Sequence, residues 1–322
     1  MSTPDASAHA LKFINRPWFA ILVPAFIGFG LGACCVRMFN SYGFSLFLGL
    51  PVVVSFLSAY CTSFRRRAAF WPAYWIAVSS ILFLGCFIFL FALDGMICML
   101  MALPLAMLLA LFGTALGVVL GSSGRQTATS LPLLVVPLFP GLVTIENHAK
   151  PPEPVRIVTS SITIHAPIQR VWQTVIAFPK ISEPPTGIFC LGIAYPIEAR
   201  IDGTGVGAIR HCMFSTGPFV EPITRWEEPT LLAFDVSASP PPMRELSLYE
   251  NIEAPHLHGH MVSHHGQFRL VEHDGEVTLE GTTWYTHSLS PQWYWGPISD
   301  YMIHQIHLRV LEQIKRTSEG PA

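Results

Sequence analysis

The chain has 322 residues, of which 51% are hydrophobic and only 12% charged, against roughly 25% charged in an average soluble domain. That composition excludes a disordered chain and an ordinary cytosolic single domain. The formal net charge of −2 averages two unlike halves: residues 1–150 hold 8 Lys+Arg and 3 Asp+Glu, whereas residues 151–322 hold 11 and 18.

Residues 1–16 are polar and precede the first apolar run. Between Pro17 and Phe64 the only charge is Arg37, and between Ala68 and Gly124 it is Asp94. About 20 apolar residues cross a hydrocarbon core of roughly 30 Å, so spans are expected at about 17–36, 42–64, 69–92 and 95–120. The "LGAC" ending at Cys34 has the form of a lipoprotein cleavage box, but further spans follow at once and the first run is read as a span. Lys12, Arg16, Arg65, Arg66, Arg67 and Arg125 all fall on one side of this arrangement. By the positive-inside rule that side is the cytoplasm, with the N-terminus inside.

The uncharged "ATSLPLLVVPLFPGLVTI", residues 128–145, decides the placement of everything after it. Pro132, Pro137 and Pro140 each remove a helix hydrogen bond, yet neighbouring helices satisfy such groups in a membrane. It is read as a fifth span, closing a transmembrane region over 17–145. The C-terminal half is then periplasmic, for a protein of a bacterial inner membrane. The alternative of four spans and a re-entrant or surface segment keeps that half cytoplasmic. The spans carry almost no ionisable group, which argues against transport or proton-relay chemistry. Gly28xxxGly32 and Gly113xxxGly117xxxGly121 are spacings that let helices approach closely; the spans are read as an anchor or packing bundle, with a homo-oligomer through these glycines as the alternative.

Residues 146–156, "ENHAKPPEPVR", read as a Pro-rich linker, and 157–319 as one further domain. There the pattern changes to alternation. "IVTSSITIHAP" is a strand ended by Pro167, and "PIQRVWQTVIAF" a helix with proline at its first turn. Three strand pairs follow: "CLGIAYPIEARI" with "GAIRHCMFST", "PFVEPITRWEEP" with "LLAFDVSAS", and "GQFRLVEH" with "EVTLEGTTWYTH". A helix from about Pro291 to Ser318 closes the chain, with Ser290 as its expected cap. Ile303, Ile306, His307, Val310, Leu311 and Ile314 share one face of it, as in a helix laid on a sheet. No nucleophile elbow, P-loop or dinucleotide fingerprint is present. The acidic second half offers no polybasic patch, so nucleic acid is not an expected partner.

The segments "SSITIHAPIQRVWQTV", "GxGVGAxR" at Gly203 to Arg210, "RWEEPTLLAFDV" and the terminal "IHQIHLRVLEQIK" together resemble the START-like superfamily, also called SRPBCC or polyketide cyclase-like. The resemblance covers about residues 155–318. It implies an α+β helix-grip fold, in which a curved antiparallel sheet grips the long C-terminal helix around an apolar cavity. The whole is thus expected to be an N-terminal helical membrane bundle fused to a helix-grip domain. The family includes carriers and enzymes and has no universal catalytic residue.

Three constellations are candidates for chemistry. His256, His258 and His260 alternate and would share one strand face, a spacing that suits zinc; a metal is otherwise not expected, nor is any cofactor. Asp300, His304 and His307, spaced by four and three, lie on or beside the apolar face of the last helix, where a carboxylate can orient an imidazole for general-base work. Arg210 sits in a strand, and turned inward it would meet a carboxylate or phosphate on a greasy ligand. Phe214 has the same parity. Tyr285 and Tyr301, within an aromatic concentration that includes Trp284 and Trp293 to Trp295, complete with His307 the expected ligand wall.

The expected function is therefore a membrane-anchored domain that binds or transfers a hydrophobic ligand such as a lipid, isoprenoid or polyketide-like compound. One alternative is a cyclase, hydrolase or isomerase using Asp300, His304 and His307. Another is a structural or sensory membrane protein with a filled cavity.

Overall fold

The structure is a computed structural model that describes residues 16–64, 67–123, 131–149, 152–249 and 255–320. They fall into two compact units: residues 1–151 with 245–255, and residues 152–244 with 256–322.

The first unit is helical: α1 (Pro17–Ala33), α2 (Leu50–Ser63), α3 (Phe70–Leu90), α4 (Met96–Ser122) and α5 (Leu131–His148). Turns of π-helix lengthen α1 and α2, giving among the described residues four helices apolar and long enough to cross a membrane: Pro17–Met38, Ser45–Ser63, Phe70–Leu90 and Met96–Ser122. Pro24 and Pro104 lie inside helices, as hydrocarbon-embedded bundles tolerate. Helix α1 packs on α3, where Ser80 Oγ donates to Ile21 O at 2.8 Å.

The glycine stripe of α4 lies against α2. A Cβ at Gly117 would stand 2.6 Å from Phe56 O, and one at Gly121 would stand 3.0 Å from Tyr60 O. Gly28 likewise faces Val54 and Leu84, and Gly32 faces Leu50. The close approach these spacings permit is used between helices of one chain, in keeping with a packing bundle, and this stripe is covered by α2.

Helix α5 contributes Phe139 (2% exposed) and Val143 (1%) to the same core as Ala25, Leu50 and Val54. At its end the Glu146 carboxylate accepts the backbone N–H groups of Phe44 and Ser45, the latter at 2.9 Å. Those are orphan donors at the start of the second span, where a carboxylate is favoured by the helix dipole. A second such cap comes from far along the chain. Glu245 accepts from Ile97 N (3.1 Å) and Cys98 N (3.3 Å) at the start of α4, and Leu246 O accepts from Met96 N.

The second unit holds β1 (Arg156–Ile164), α6 (Ile168–Ile176), β2 (Pro196–Asp202), β3 (Ile209–Phe214), β4 (Gly217–Glu227), β5 (Leu231–Asp235), β6 (Met261–His273), β7 (Glu276–His287) and α7 (Gln292–Glu319). All seven strands form one antiparallel sheet in the order β1-β7-β6-β5-β4-β3-β2. Register shifts at Pro196/Glu198, Ile223/Arg225 and Ser263/His265 mark bulges, which bend the strands that carry them. The sheet is therefore curved, and α7 lies against it.

Leu311 and Ile314 of α7, fully buried, meet Trp172 and Val175 of α6 and Leu270, Val277 and Leu279 of the sheet in one core. Each such side chain contributes about 1.5–3 kcal/mol through burial. The N-cap position of α7 is Pro291, without a side-chain cap bond, so the Ser290 cap is not formed. The architecture is that of a helix-grip domain, as the alternation pattern and the terminal amphipathic helix imply.

Candidate ligand cavity

A cavity of about 120 Å³ lies in the second unit between strands β3 to β7 and helix α7. Strand β3 supplies Arg210, Cys212 and Phe214 at alternate positions, all pointing inward because the strand period is two. Helix α7 supplies Met302, Ile303, Ile306 and His307. One wall is not regular structure at all: Ser239 to Pro242 and Ala194 close it. The two loops involved are joined by Ala194 N donating to Pro242 O at 3.0 Å and Arg244 N to Gly192 O at 2.8 Å.

Arg210 resolves inward. It is 1% exposed and forms an ion pair with Glu221, its cross-strand partner on β4. Its Nε donates to Ile176 O at 3.2 Å, and the rings of Phe178, Phe234 and Phe268 stand 5.8, 5.7 and 5.4 Å from the guanidinium carbon. Burial pushes the Glu221 carboxyl up, with Arg210 opposing it; burial works against the Arg210 charge, and Glu221 holds it cationic. The Cys212 thiol is pushed up to about 12 by burial and by Glu221, so it stays protonated. Phe214 also lines the cavity, edge-on to Phe219 with centroids 4.7 Å apart.

On α7 the expected carboxylate–imidazole pair is corrected. The Asp300 carboxylate takes Arg156 (Nε at 3.1 Å, and Nη2) and the Tyr285 hydroxyl, which donates at 2.7 Å. Partial burial would raise the Asp300 pKa, but the bonds from Arg156 and Tyr285 bring it below the ordinary value. A permanent guanidinium outcompetes a neutral imidazole for a carboxylate. His304 and His307 instead share one hydroxyl: Ser160 Oγ lies 2.6 Å from His304 Nδ1 and 3.1 Å from His307 Nδ1. His307 Nε2 lies 2.8 Å from Thr283 Oγ1. Burial first, then the nearby His304, lowers the His307 pKa to about 4. Of the three, His307 lines the cavity.

Tyr285 is fully buried on Asp300, and Tyr301 is 53% exposed; the cavity wall includes neither. The strand expected to carry His256, His258 and His260 is also corrected. His256 belongs to a 3-10 turn, Pro255–Leu257, with its side chain outside those described, and β6 begins only at Met261. Without a strand there is no shared face. His258 is exposed and His260 bonds Ser288. Among the described residues, donor atoms come within 4.8 Å of one another at Asp94, Cys98 and Glu245. There Glu245 already caps α4, and Asp94 Oδ1 accepts from Gly95 N at 2.7 Å.

Glu221, Ser160 and the Pro240–Pro242 wall carry no sequence motif. The hairpin joining β3 to β4 is the one available signal. With Phe214 paired to Gly217, counting back along the register sets Arg210 opposite Glu221.

No family model matches the chain, and no curated protein matches it. Solved structures do resemble it. A truncated norcoclaurine synthase from Thalictrum flavum is 11% identical, covering 52% of this chain and 95% of its own, with a TM-score of 0.33. The di-domain ARO/CYC BexL from the BE-7585A biosynthetic pathway is 12% identical, covering 66% and 64%, with a TM-score of 0.36. A protein from Nitrosospira multiformis is 17% identical, covering 51% and 96%, with a TM-score of 0.32.

Proposed function

We propose that the protein is a membrane-anchored binding protein of START-like type, whose C-terminal unit takes up a compact hydrophobic molecule or the end of a longer one. The observation that carries this reading is the cavity itself: a partly open pocket of about 120 Å³ walled mainly by aromatic and aliphatic side chains, with the Arg210–Glu221 pair set into it. A buried ion pair is costly to desolvate and is weak as a stabilising device, so its placement in a cavity wall suits recognition. The volume is smaller than the roughly 300–1,000 Å³ of sites for drug-sized ligands. A long lipid would therefore enter by displacing the Ser239–Pro242 wall, which lies outside the strands and is tied to β4 beside it through Ser237 and Ala238 pairing with Val220.

Four helices of sufficient length and apolar composition among the described residues support an integral-membrane placement. We infer that α5 is a fifth span. Its 18 residues reach about 27 Å at 1.5 Å each, and its last turn, through Glu146, meets the loop between the first two spans. With basic residues marking the cytoplasmic side, the second unit lies on the other side of the membrane.

Native mass spectrometry of the full chain released from nanodiscs tests the binding reading. A reproducible small-molecule adduct, lost when Phe214→Trp and Ile306→Trp fill the cavity, is the expected result. An empty protein that also takes up no added hydrophobic probe would sink it.

A further inference from the structure

The guanidinium of Arg210 offers five N–H donors, and the fold satisfies them unevenly. Nε is bonded to Ile176 O and Nη1 to Glu221, and the Cys212 thiol also interacts with the guanidinium, but Nη2 is buried with no hydrogen-bond acceptor of good geometry among the described residues. Three phenyl rings surround the cation, so water is scarce there and an unmet donor is costly. An acceptor is called for from the cavity that Arg210 lines.

The charge balance says what kind of acceptor. Arg210 and Glu221 neutralise each other. The other titratable side chains of the wall are Cys212, His265 and His307. The Cys212 thiol stays protonated and His307 stays neutral, both through burial, and His265 is bonded to Asp235 at 2.7 Å. An anion entering this wall would find a guanidinium already paired, with the Glu221 carboxylate beside it. Attraction and repulsion then nearly cancel, while the anion still loses its hydration.

We propose that the cavity takes an uncharged ligand that presents a carbonyl-type oxygen to Arg210 Nη2, and that it selects against carboxylates and phosphates. This rests on the cavity being a ligand site, as proposed above, and it reverses the anionic head group that an inward arginine alone would imply. The volume of about 120 Å³ is of the order of the roughly 150 Å³ cavity that holds one benzene, so the part bound near Arg210 is a single ring or a short branched chain.

Three probes of one size separate the cases: acetophenone, benzoate and ethylbenzene, titrated at pH 7.5 into the full chain in nanodiscs. Ligand-observed NMR reads the binding, with empty nanodiscs subtracted. Acetophenone is expected to bind at least about tenfold tighter than either of the others. The double variant Arg210→Met with Glu221→Leu removes both charges together and should bind acetophenone and ethylbenzene alike. Benzoate binding best, or acetophenone and ethylbenzene binding equally to the native chain, overturns the neutral-acceptor assignment while leaving the cavity as a ligand site. A preference for acetophenone that survives in the double variant removes Arg210 from the role. If none of the three binds, the ligand-site reading falls together with this one.

Discussion

His307 shows what position does to a single side chain. Its half-buried ring lies between the Ser160 and Thr283 hydroxyls in the cavity wall, and burial, then His304, lowers its pKa to about 4 from 6.5. The folded state therefore prefers the neutral imidazole. Above about pH 6.5 neither state is protonated and the preference costs nothing. As pH falls from 6.5 towards 4 the unfolded chain takes a proton that the folded one refuses, and about 3 kcal/mol of stability is lost. His287, lowered by burial and by Arg156, adds to the loss in the same direction, while Asp300, held below its usual range, acts only at still lower pH. Thermal unfolding of the full chain in nanodiscs, followed by tryptophan fluorescence, should show Tm dropping across this window. His307→Asn should flatten that drop; an unchanged slope in the variant would refute the assignment.

At the scale of elements, two kinds of information behave differently. The glycine stripe of α4 was visible as Gly113xxxGly117xxxGly121, but not its partner, because spacing reports that a helix can be approached and not by what. Helix α2 is what approaches, with Phe56 O and Ala59 over Gly117. Gly117→Leu should therefore separate α2 from α4 within one chain: the expected result is a lower Tm and faster hydrogen exchange along 52–63, with no change in oligomeric state by mass photometry. A shift in oligomeric state with Tm preserved would contradict this. The strands were legible from their alternation, and so were the pairings of β2 with β3, β4 with β5 and β6 with β7, while those of β3 with β4, β5 with β6 and β1 with β7 were not. The two-residue connection between β3 and β4 makes Arg210 and Glu221 a pair, and pairing β3 only with β2 leaves Arg210 without its counter-charge. Asp300 went astray for a related reason. Helical spacing sets it beside His304, but Arg156 of β1 lies 144 residues away in sequence, and a charge outweighs a neighbour.

For the whole molecule the question is on which side of the membrane the second unit lies. Five spans with the basic residues inside predict that a C-terminal alkaline phosphatase fusion is active and a C-terminal green fluorescent protein fusion is dark in a bacterial host. Deleting 131–148 should invert both. A fluorescent C-terminus in the full chain would reduce α5 to a surface or re-entrant helix. The division into units also holds a feature with no sequence signal. Residues 245–255 belong to the helical unit, although they interrupt the sheet domain between β5 and β6.

Legible in the sequence alone were an apolar helical bundle followed by an α+β domain, four helices long enough to cross a membrane, the order of strands and helices, and the gripping helix with its apolar face. These follow from composition and periodicity, which are local properties written every two to four residues. Tertiary structure alone decided that Arg210 points inward onto Glu221, that Asp300 serves Arg156 and Tyr285, that His304 and His307 meet on Ser160, and that the histidines at 256–260 share no strand. Each of those depends on which distant group wins a hydrogen bond or a charge, and that competition is settled only when the sheet has curved and the helix has been laid against it.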